Sequence, residues 1–159
     1  MNKLYLLLGS NIGNSKKQLL AAQKQISKKI GPIVRQSKLY QTAAWGFTNQ
    51  PDFLNQIIVV ESTFLPQDCI TKILSIELEM GRIRTKKNAP RIIDIDILYF
   101  NKEIINTKKL VVPHPAIQNR RFVLTPLNEI SPAFIHPVLS KTNHELLLIC
   151  KDTLNVKKI

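Results

Sequence analysis

Pro90-Arg91-Ile92-Ile93-Asp94-Ile95-Asp96-Ile97-Leu98-Tyr99 is the stretch from which the rest of the chain can be read. Ile93, Ile95 and Ile97 alternate with Asp94 and Asp96, and a period of two sends side chains to opposite faces of a β-strand. The strand therefore turns its isoleucines inward and carries both carboxylates on its other face. Aspartate is a poor strand former, and two carboxylates about 5 Å apart repel by roughly 3 kcal/mol at an effective dielectric of about 20. A divalent cation between them reverses that sign. Oxygen-only ligands suit Mg²⁺, which keeps waters and is usually shared with the phosphates of a substrate. Arg82, Arg84, Lys86, Lys87 and Arg91 lie just upstream and are the charges that would hold such phosphates. A solvated strand face is the alternative for Asp-x-Asp alone, and the adjoining basic cluster favours the metal.

Working outward, residues 4–8 read as a short apolar strand ending at Gly9. Asn14 or Ser15 caps a helix with Leu19, Leu20, Gln23, Ile26 and Ile30 inward, stopped by Gly31-Pro32. Residues 33–42 read as a second strand, 43–52 as a loop, and 53–61 as a third strand with Phe53, Asn55, Ile57 and Val59 on one face. Pro66 opens a second helix and Gly81 ends it. A basic loop over residues 81–89 precedes the aspartate strand, which closes at Asn101-Lys102. Ile104-Ile105 and residues 110–112 form short extra strands. A short helix is expected around 117–121 and a last one from Thr142, where Thr142 and Glu145 have capping-box spacing; the Lys-rich end after Lys151 is expected to fray. The order strand, helix, strand, strand, helix, strand predicts an α+β, ferredoxin-like α/β sandwich. Its sheet is mainly antiparallel with helices on one face, additional helices follow at the C-terminus, and the other sheet face is left for a site.

With 159 residues the chain fits one domain, 1–159, with an adequate core. The net charge of +12 implies a polyanionic partner, and a nucleotide, a nucleic acid and an anionic membrane all qualify. A bias toward Lys, Ile and Asn would raise the charge with no function attached. No segment approaches the roughly 20 apolar residues of a bilayer span. Residues 4–8 are too short for a signal peptide core, which needs about 7–15 apolar residues. Cys69 and Cys150 have no metal-binding or redox spacing and read as reduced, packing thiols of a cytoplasmic protein.

Other residues carry possible chemistry. Counting from Gly9, a P-loop would need glycine where Asn14 stands, so a nucleotide would have to be held by arginine side chains and Mg²⁺. Gly9 and Asn11 form a strand-to-helix turn that could border the site. Phe53 and Asn55 could stack on a planar heterocycle and read its edge, or serve as core and surface residues. His114, between Pro113 and Pro115, is rigidly presented or simply a turn residue, and Arg120 and Phe122 could add a phosphate contact and a second stacking surface. Glu77 either flanks the apolar stripe of its helix or faces a nucleotide. His136 and His144 read as structural or surface residues.

Together these residues resemble the 6-hydroxymethyl-7,8-dihydropterin pyrophosphokinases of folate biosynthesis. The matching elements are Gly9-Ser10-Asn11, Gln50-Pro51-Asp52-Phe53-Leu54-Asn55, Ile76-Glu77 with Gly81-Arg82-Ile83-Arg84, the Pro90 to Leu98 run, Val112-Pro113-His114 and Asn119-Arg120-Arg121-Phe122. The resemblance implies transfer of pyrophosphate from ATP to the pterin hydroxymethyl group, with release of AMP. It implies two Mg²⁺ on Asp94 and Asp96, phosphates clamped by Arg82 and Arg91, and nucleotide contacts from Glu77, Arg84, His114 and Arg120. Backbone at Ile97 and Val111 would read adenine. The pterin would lie between Phe53 and Phe122, with Asn55 and the chain around Thr42, Ala43 and Trp45 bonding its edge. The partners so implied are these two small molecules, with no nucleic acid and no membrane, acting on a monomer. One departure stands out: the family usually has Trp-Gly before Pro-Arg, where this chain has Asn88-Ala89, and Trp45 is the residue that could replace the missing lid ring. Two readings compete with the pyrophosphokinase. One is an RNA-binding module of the same sheet format, whose aromatic signature is absent. The other is a Mg²⁺-dependent nucleotidyl or phosphoryl transferase with another acceptor.

Overall fold

A computed structural model describes residues 1–44, 49–83 and 90–159. In chain order the elements are β1 (Asn2–Ser10), α1 (Ser15–Lys29), β2 (Ile33–Gln36), β3 (Tyr40–Thr42), β4 (Phe53–Ser62), α2 (Pro66–Glu79) and β5 (Asp94–Phe100). There follow β6 (Ile105–Asn106), β7 (Val111–Val112), a 3-10 turn at Ile117–Asn119, α3 (Arg121–Ile130), α4 (Asn143–Ile149) and β8 (Val156–Lys158). The main sheet runs β5-β1-β4-β3-β8, with β2 also on β4, and every pairing in it is antiparallel. That order, with two helices on one face, is the ferredoxin-like sandwich the pattern predicts.

The first core lies between the sheet and α1 and α2. Leu4, Leu6, Leu8, Ile58, Val60, Ile93, Ile95 and Ile97 meet Leu19, Ala22, Ile26, Cys69, Ile73 and Ile76 there. The isoleucines flanking the two aspartates are thus inward, as their alternation requires. Asn14 caps α1 by accepting from Lys17 N at 3.1 Å. At its other end, Gly31 lies so close to β4 that a Cβ would come within 1.9 Å of the Glu61 carbonyl oxygen. Leu20 is not inward: it is 59% exposed and Ala22 is buried instead, because the buried stripe runs 19, 22, 26 and Leu20 points out among the lysines.

The expected strand over 33–42 is broken in two. Ser37 replaces the regular ladder: its Oγ accepts from Ile57 N at 3.0 Å, its N–H donates to Ile57 O at 2.8 Å, and its carbonyl accepts from Gln56 Nε2 at 2.8 Å. The Lys-rich end is not frayed either, because β8 pairs with β3, with Thr42 opposite Val156 and Tyr40 opposite Lys158.

The second sheet face is only partly free. A shift in the β1–β5 register, with Leu6 opposite Ile97 but Tyr5 opposite Tyr99, inserts Leu98 as a bulge. Leu98 and Tyr99 then join Tyr5, Leu7, Ile57 and Val59 in a second core against Val123, Leu124, Leu127 and Leu146 of α3 and α4. The expected short helix over 117–121 is a 3-10 turn followed by the ten-residue α3, which contains Pro126. Its missing N–H forfeits the bond to the Phe122 carbonyl, yet packing of an apolar face holds the helix together. α4 begins with the predicted capping box between Thr142 and Glu145. Among the described residues no helix is long and apolar enough to cross a membrane, and both cysteines are free thiols.

Candidate active site

The part of the second face that α3 and α4 leave open is where β1 ends and β4 and β5 begin. Gly9 stands between Asn55 of β4 and Asp94 of β5, and the next pair down, Leu7, stands between Ile57 and Asp96. Leu7, Gly9, Phe53, Asn55, Asp94, Asp96, Arg91, Thr42, Ala43, Arg120 and Phe122 line one pocket. Glycine is required at its floor: a Cβ on Gly9 would sit 2.9 Å from Asn55 Oδ1 and 3.8 Å from the Phe53 ring.

Helix α3 brings Arg120 and Phe122 to the pocket, and its far end is anchored to the sheet. Glu129 accepts from the Tyr40 hydroxyl at 2.5 Å and from Lys38 N at 3.1 and 3.2 Å. On the opposite wall Asn55 Nδ2 donates to Thr42 Oγ1 at 3.1 Å, and both residues are buried. Each pocket aromatic faces a guanidinium, with Arg91 5.5 Å from the Phe53 centroid and Arg120 5.8 Å from that of Phe122. Flat cations stack there as a flat heterocycle would.

The charged groups form an alternating chain. Arg82 Nη1 donates to Glu77 Oε2 at 2.6 Å and to Asp94 Oδ1 at 2.7 Å, and Arg91 Nη1 donates to Asp94 Oδ2 at 2.9 Å. Asp96 lies half-buried beside them. Burial, then the carboxylates of Asp94 and Glu77, push its carboxyl up to about 8 against the opposing pull of Arg120 and Arg82. Ionisation of Asp96 is therefore opposed by its surroundings, which is the condition a hard divalent cation relieves.

Glu77, Ile97, Val111 and His114 do not line this pocket and sit instead at or near the outer edge of β5. Glu77 is buried on α2 and accepts from Ile95 N at 2.8 Å. His114 N donates to Leu98 O at 2.9 Å, and its Nδ1 accepts from Ala116 N at 3.1 Å. Burial and the charge of Arg120 hold the His114 imidazole below its usual range, and Asp94 pulls the other way. Ile97 lies between these two anchor points, with its side chain in the first core, so only its backbone can meet a ligand at this edge. Val111 lies on β7 close by, half exposed. Trp45 and Arg84 lie outside the described residues, as do Lys86, Lys87, Asn88 and Ala89.

Sequence reading missed Leu7, and it took Gly9 and Asn11 only as a turn that could border the site. Leu7 and Gly9 form the pocket floor. Asn11, buried in the turn after β1, donates from Nδ2 to Gln50 Oε1 at 2.7 Å and to Pro51 O at 3.0 Å while its Oδ1 accepts from Arg91 N at 2.9 Å. The signal was a polar residue in the Gly9-Ser10-Asn11 run, which reads as turn chemistry until both segments it ties are seen.

The family model described as 7,8-dihydro-6-hydroxymethylpterin-pyrophosphokinase matches residues 5–132. The chain is 43% identical over 141 residues to a 2-amino-4-hydroxy-6-hydroxymethyldihydropteridine pyrophosphokinase of Aquifex aeolicus, covering 89% of this chain and 88% of the relative. It is 38% identical over 158 residues to the folic acid synthesis protein FOL1 of Dictyostelium discoideum, of which it spans only 24%. Among solved structures, the wild-type HPPK-DHPS of Plasmodium falciparum with pteroate superposes at a TM-score of 0.76 and 20% identity, covering 92% of this chain and 42% of that one. That likeness speaks for the fold, and the match of the model and of the Aquifex protein along most of the sequence speaks for descent. The chain belongs to the 7,8-dihydro-6-hydroxymethylpterin-pyrophosphokinase (HPPK) family.

Proposed function

We propose that this chain transfers pyrophosphate from ATP to the hydroxymethyl group of 6-hydroxymethyl-7,8-dihydropterin, releasing AMP, as a step of folate biosynthesis. The observation that carries this reading is the meeting, in one pocket, of two stacking rings, an amide at their edge and a paired-carboxylate strand flanked by arginines. The pterin ring lies between Phe53 and Phe122, displacing the guanidinium groups now facing them. Asn55, held by Thr42, bonds its edge together with the backbone at Thr42 and Ala43, and Trp45 belongs to the same loop.

The donor set fits magnesium: it is oxygen-only, it stands two residues apart on one face, and a bound cation would favour the ionised form of Asp96 that its surroundings oppose. Among the described residues no cluster of three or more His, Cys, Asp or Glu side chains could hold a metal, so a bound Mg²⁺ would draw its remaining ligands from water and phosphate. Asp94 and Asp96 would hold two Mg²⁺ ions, which when bound neutralise the triphosphate and acidify the attacking hydroxyl. Arg82 and Arg91 clamp the phosphates, and Arg120 and His114 meet the nucleotide from the α3 side. Ile97 and Val111 offer backbone to adenine at the open edge of β5, and Glu77 and Arg84 complete the nucleotide side. The hydroxymethyl oxygen forms a bond to the β-phosphorus as the bond to the α-phosphate oxygen breaks, so AMP leaves.

In this reading the domain spans residues 1–159 and acts as a cytoplasmic monomer on these two small molecules; the two free thiols fit a reducing compartment. Product analysis tests the function. With Mg²⁺, ATP and the pterin, AMP and the pterin diphosphate are expected; ADP would mean phosphoryl transfer, and free pyrophosphate nucleotidyl transfer.

A further inference from the structure

Both carboxylate oxygens of Asp94 are occupied by arginine: Oδ1 accepts from Arg82 and Oδ2 from Arg91, at 2.7 and 2.9 Å. Each guanidinium opposes an approaching cation, so binding at Asp94 is favoured once at least one of them leaves. The two arginines differ in where they can go. Arg82 Nη1 is already shared with Glu77 Oε2 at 2.6 Å, and its side chain is only 10% exposed. Glu77 is itself fixed, because Oε2 also accepts from Ile95 N, the residue between the two aspartates. Arg82 can therefore release Asp94 without losing a carboxylate partner or entering water. Arg91, over the Phe53 ring, sits where the pterin would stack, so filling the pocket also disturbs its hold on Asp94.

Resting on the pyrophosphokinase reading of this pocket, we propose that Arg82 and Arg91 hold the place of the metal on Asp94 and are exchanged for it, and that Glu77 is the positioning residue that keeps Arg82 beside the phosphate site during the exchange. The arginines that later clamp phosphate are thus freed by the ion that arrives with it. Charge on Asp94 stays paired in both states, which removes most of the cost of an exposed like-charge couple.

The test is a titration with Mn²⁺ alone, without nucleotide, reading free ion by its electron paramagnetic signal. Removing a competitor should tighten metal binding even though it removes a residue of the reaction. Arg91→Gln should bind Mn²⁺ about tenfold more tightly than the unchanged protein, and Arg82→Gln/Arg91→Gln more tightly still, the size expected for neighbouring charges that couple directly. Arg120→Gln removes the same charge from the same pocket on the Asp96 side and should give a clearly smaller gain than Arg91→Gln, which also frees an Asp94 oxygen. Glu77→Gln should weaken Mn²⁺ binding about fivefold while Arg82 is present and by less than about twofold in the Arg82→Gln background, since it acts through that arginine. Equal gains from Arg91→Gln and Arg120→Gln would reduce the effect to general charge and overturn the inference. So would a Glu77→Gln effect that survives the loss of Arg82, or a double arginine variant that binds Mn²⁺ no better. Should Glu77→Gln fail to fold by thermal unfolding, the Arg91 and Arg120 comparison carries the test. The unchanged protein is titrated in parallel with Mn²⁺ plus an inert ATP analogue: no binding there contradicts the functional reading, whereas binding there with unaltered variants contradicts only the exchange.

Discussion

Asn11 and Arg91 are bonded to each other twice: Asn11 N donates to Arg91 O at 3.1 Å, and Arg91 N donates to Asn11 Oδ1 at 2.9 Å. This reciprocal pair fastens the turn after β1 to the residue that enters β5, and Asn11 Nδ2 extends the tie to Gln50 and Pro51 ahead of β4. One buried amide thus sets the spacing between the arginine, the aspartate strand and the Phe53 wall of the pocket. Asn11→Ala leaves buried partners unsatisfied and should cost about 1–3 kcal/mol of stability. It should also raise KM for the pterin more than it lowers kcat, because the loop before Phe53 loses its anchor while Asp94 and Asp96 stay in place. Denaturant unfolding and steady-state kinetics check both; an unchanged KM would contradict the anchoring role.

Gly9→Ala isolates the pocket floor. The added methyl meets Asn55 Oδ1 at 2.9 Å, too near for real contact, so Asn55 must shift or the ligand must lose its seat. Overpacking of this kind costs about 1–3 kcal/mol. Pterin affinity by calorimetry should fall by about tenfold or more, while nucleotide binding with Mg²⁺ changes little. A variant that binds the pterin normally would show that the floor is not part of its site.

Asp96→Ala should reduce turnover further than loss of Arg82 or Arg91 alone. Removing one transition-state donor typically costs about 10²–10³ in rate, whereas a lost metal ligand removes charge neutralisation and orientation together. Steady-state rates at saturating substrates decide it, and near-normal turnover of Asp96→Ala at ordinary Mg²⁺ would contradict the assignment.

Acid should destabilise the fold partly through His136. This buried imidazole accepts at Nδ1 from Val138 N at 3.2 Å and Leu139 N at 3.0 Å and packs edge-on against Tyr99 at 5.7 Å. Burial holds it below its usual value of 6.5. The unfolded chain therefore takes up a proton first: stability is complete above about pH 6.5 and declines as pH falls through that value toward the lower folded pKa, by at most about 1.4 kcal/mol per pH unit. His136→Asn keeps an acceptor near Nδ1 but cannot titrate, so unfolding free energies between pH 7 and 5 should depend less on pH. An unaltered slope would contradict the role.

How much of this was legible beforehand depended on how local the cause was. The Ile93 to Ile97 alternation, the Pro66 start of α2 and the Thr142–Glu145 box are set by neighbours in sequence, and they emerged as read. So did the grouping of Phe53, Asn55, Asp94, Asp96, Arg120 and Phe122 in one pocket, since strand parity and the family resemblance agree on it. Ser37 hid the break between β2 and β3, because its side chain stands in for backbone only once Ile57 lies opposite. Pro126 disguised α3, whose stability comes from packing Val123, Leu124 and Leu127 on the sheet. β8 looked like a solvated tail because Lys157 and Lys158 obey no apolar pattern; an edge strand needs only backbone partners, and β3 supplies them. The double engagement of Asp94 is likewise invisible in one dimension, since it joins α2, the segment after it and β5.

The central claim is that the carboxylates of Asp94 and Asp96 hold the magnesium on which ATP binding depends. Calorimetry of an inert ATP analogue, with Mg²⁺ and with chelator, on the unchanged protein and on Asp94→Asn/Asp96→Asn measures it directly. Tight uptake is expected only for the unchanged protein with Mg²⁺, with at least a hundredfold loss (about 2.7 kcal/mol) on removing either the metal or the carboxylates. Equal affinity with and without Mg²⁺, or undiminished Mg²⁺-dependent uptake by the double variant, would contradict it.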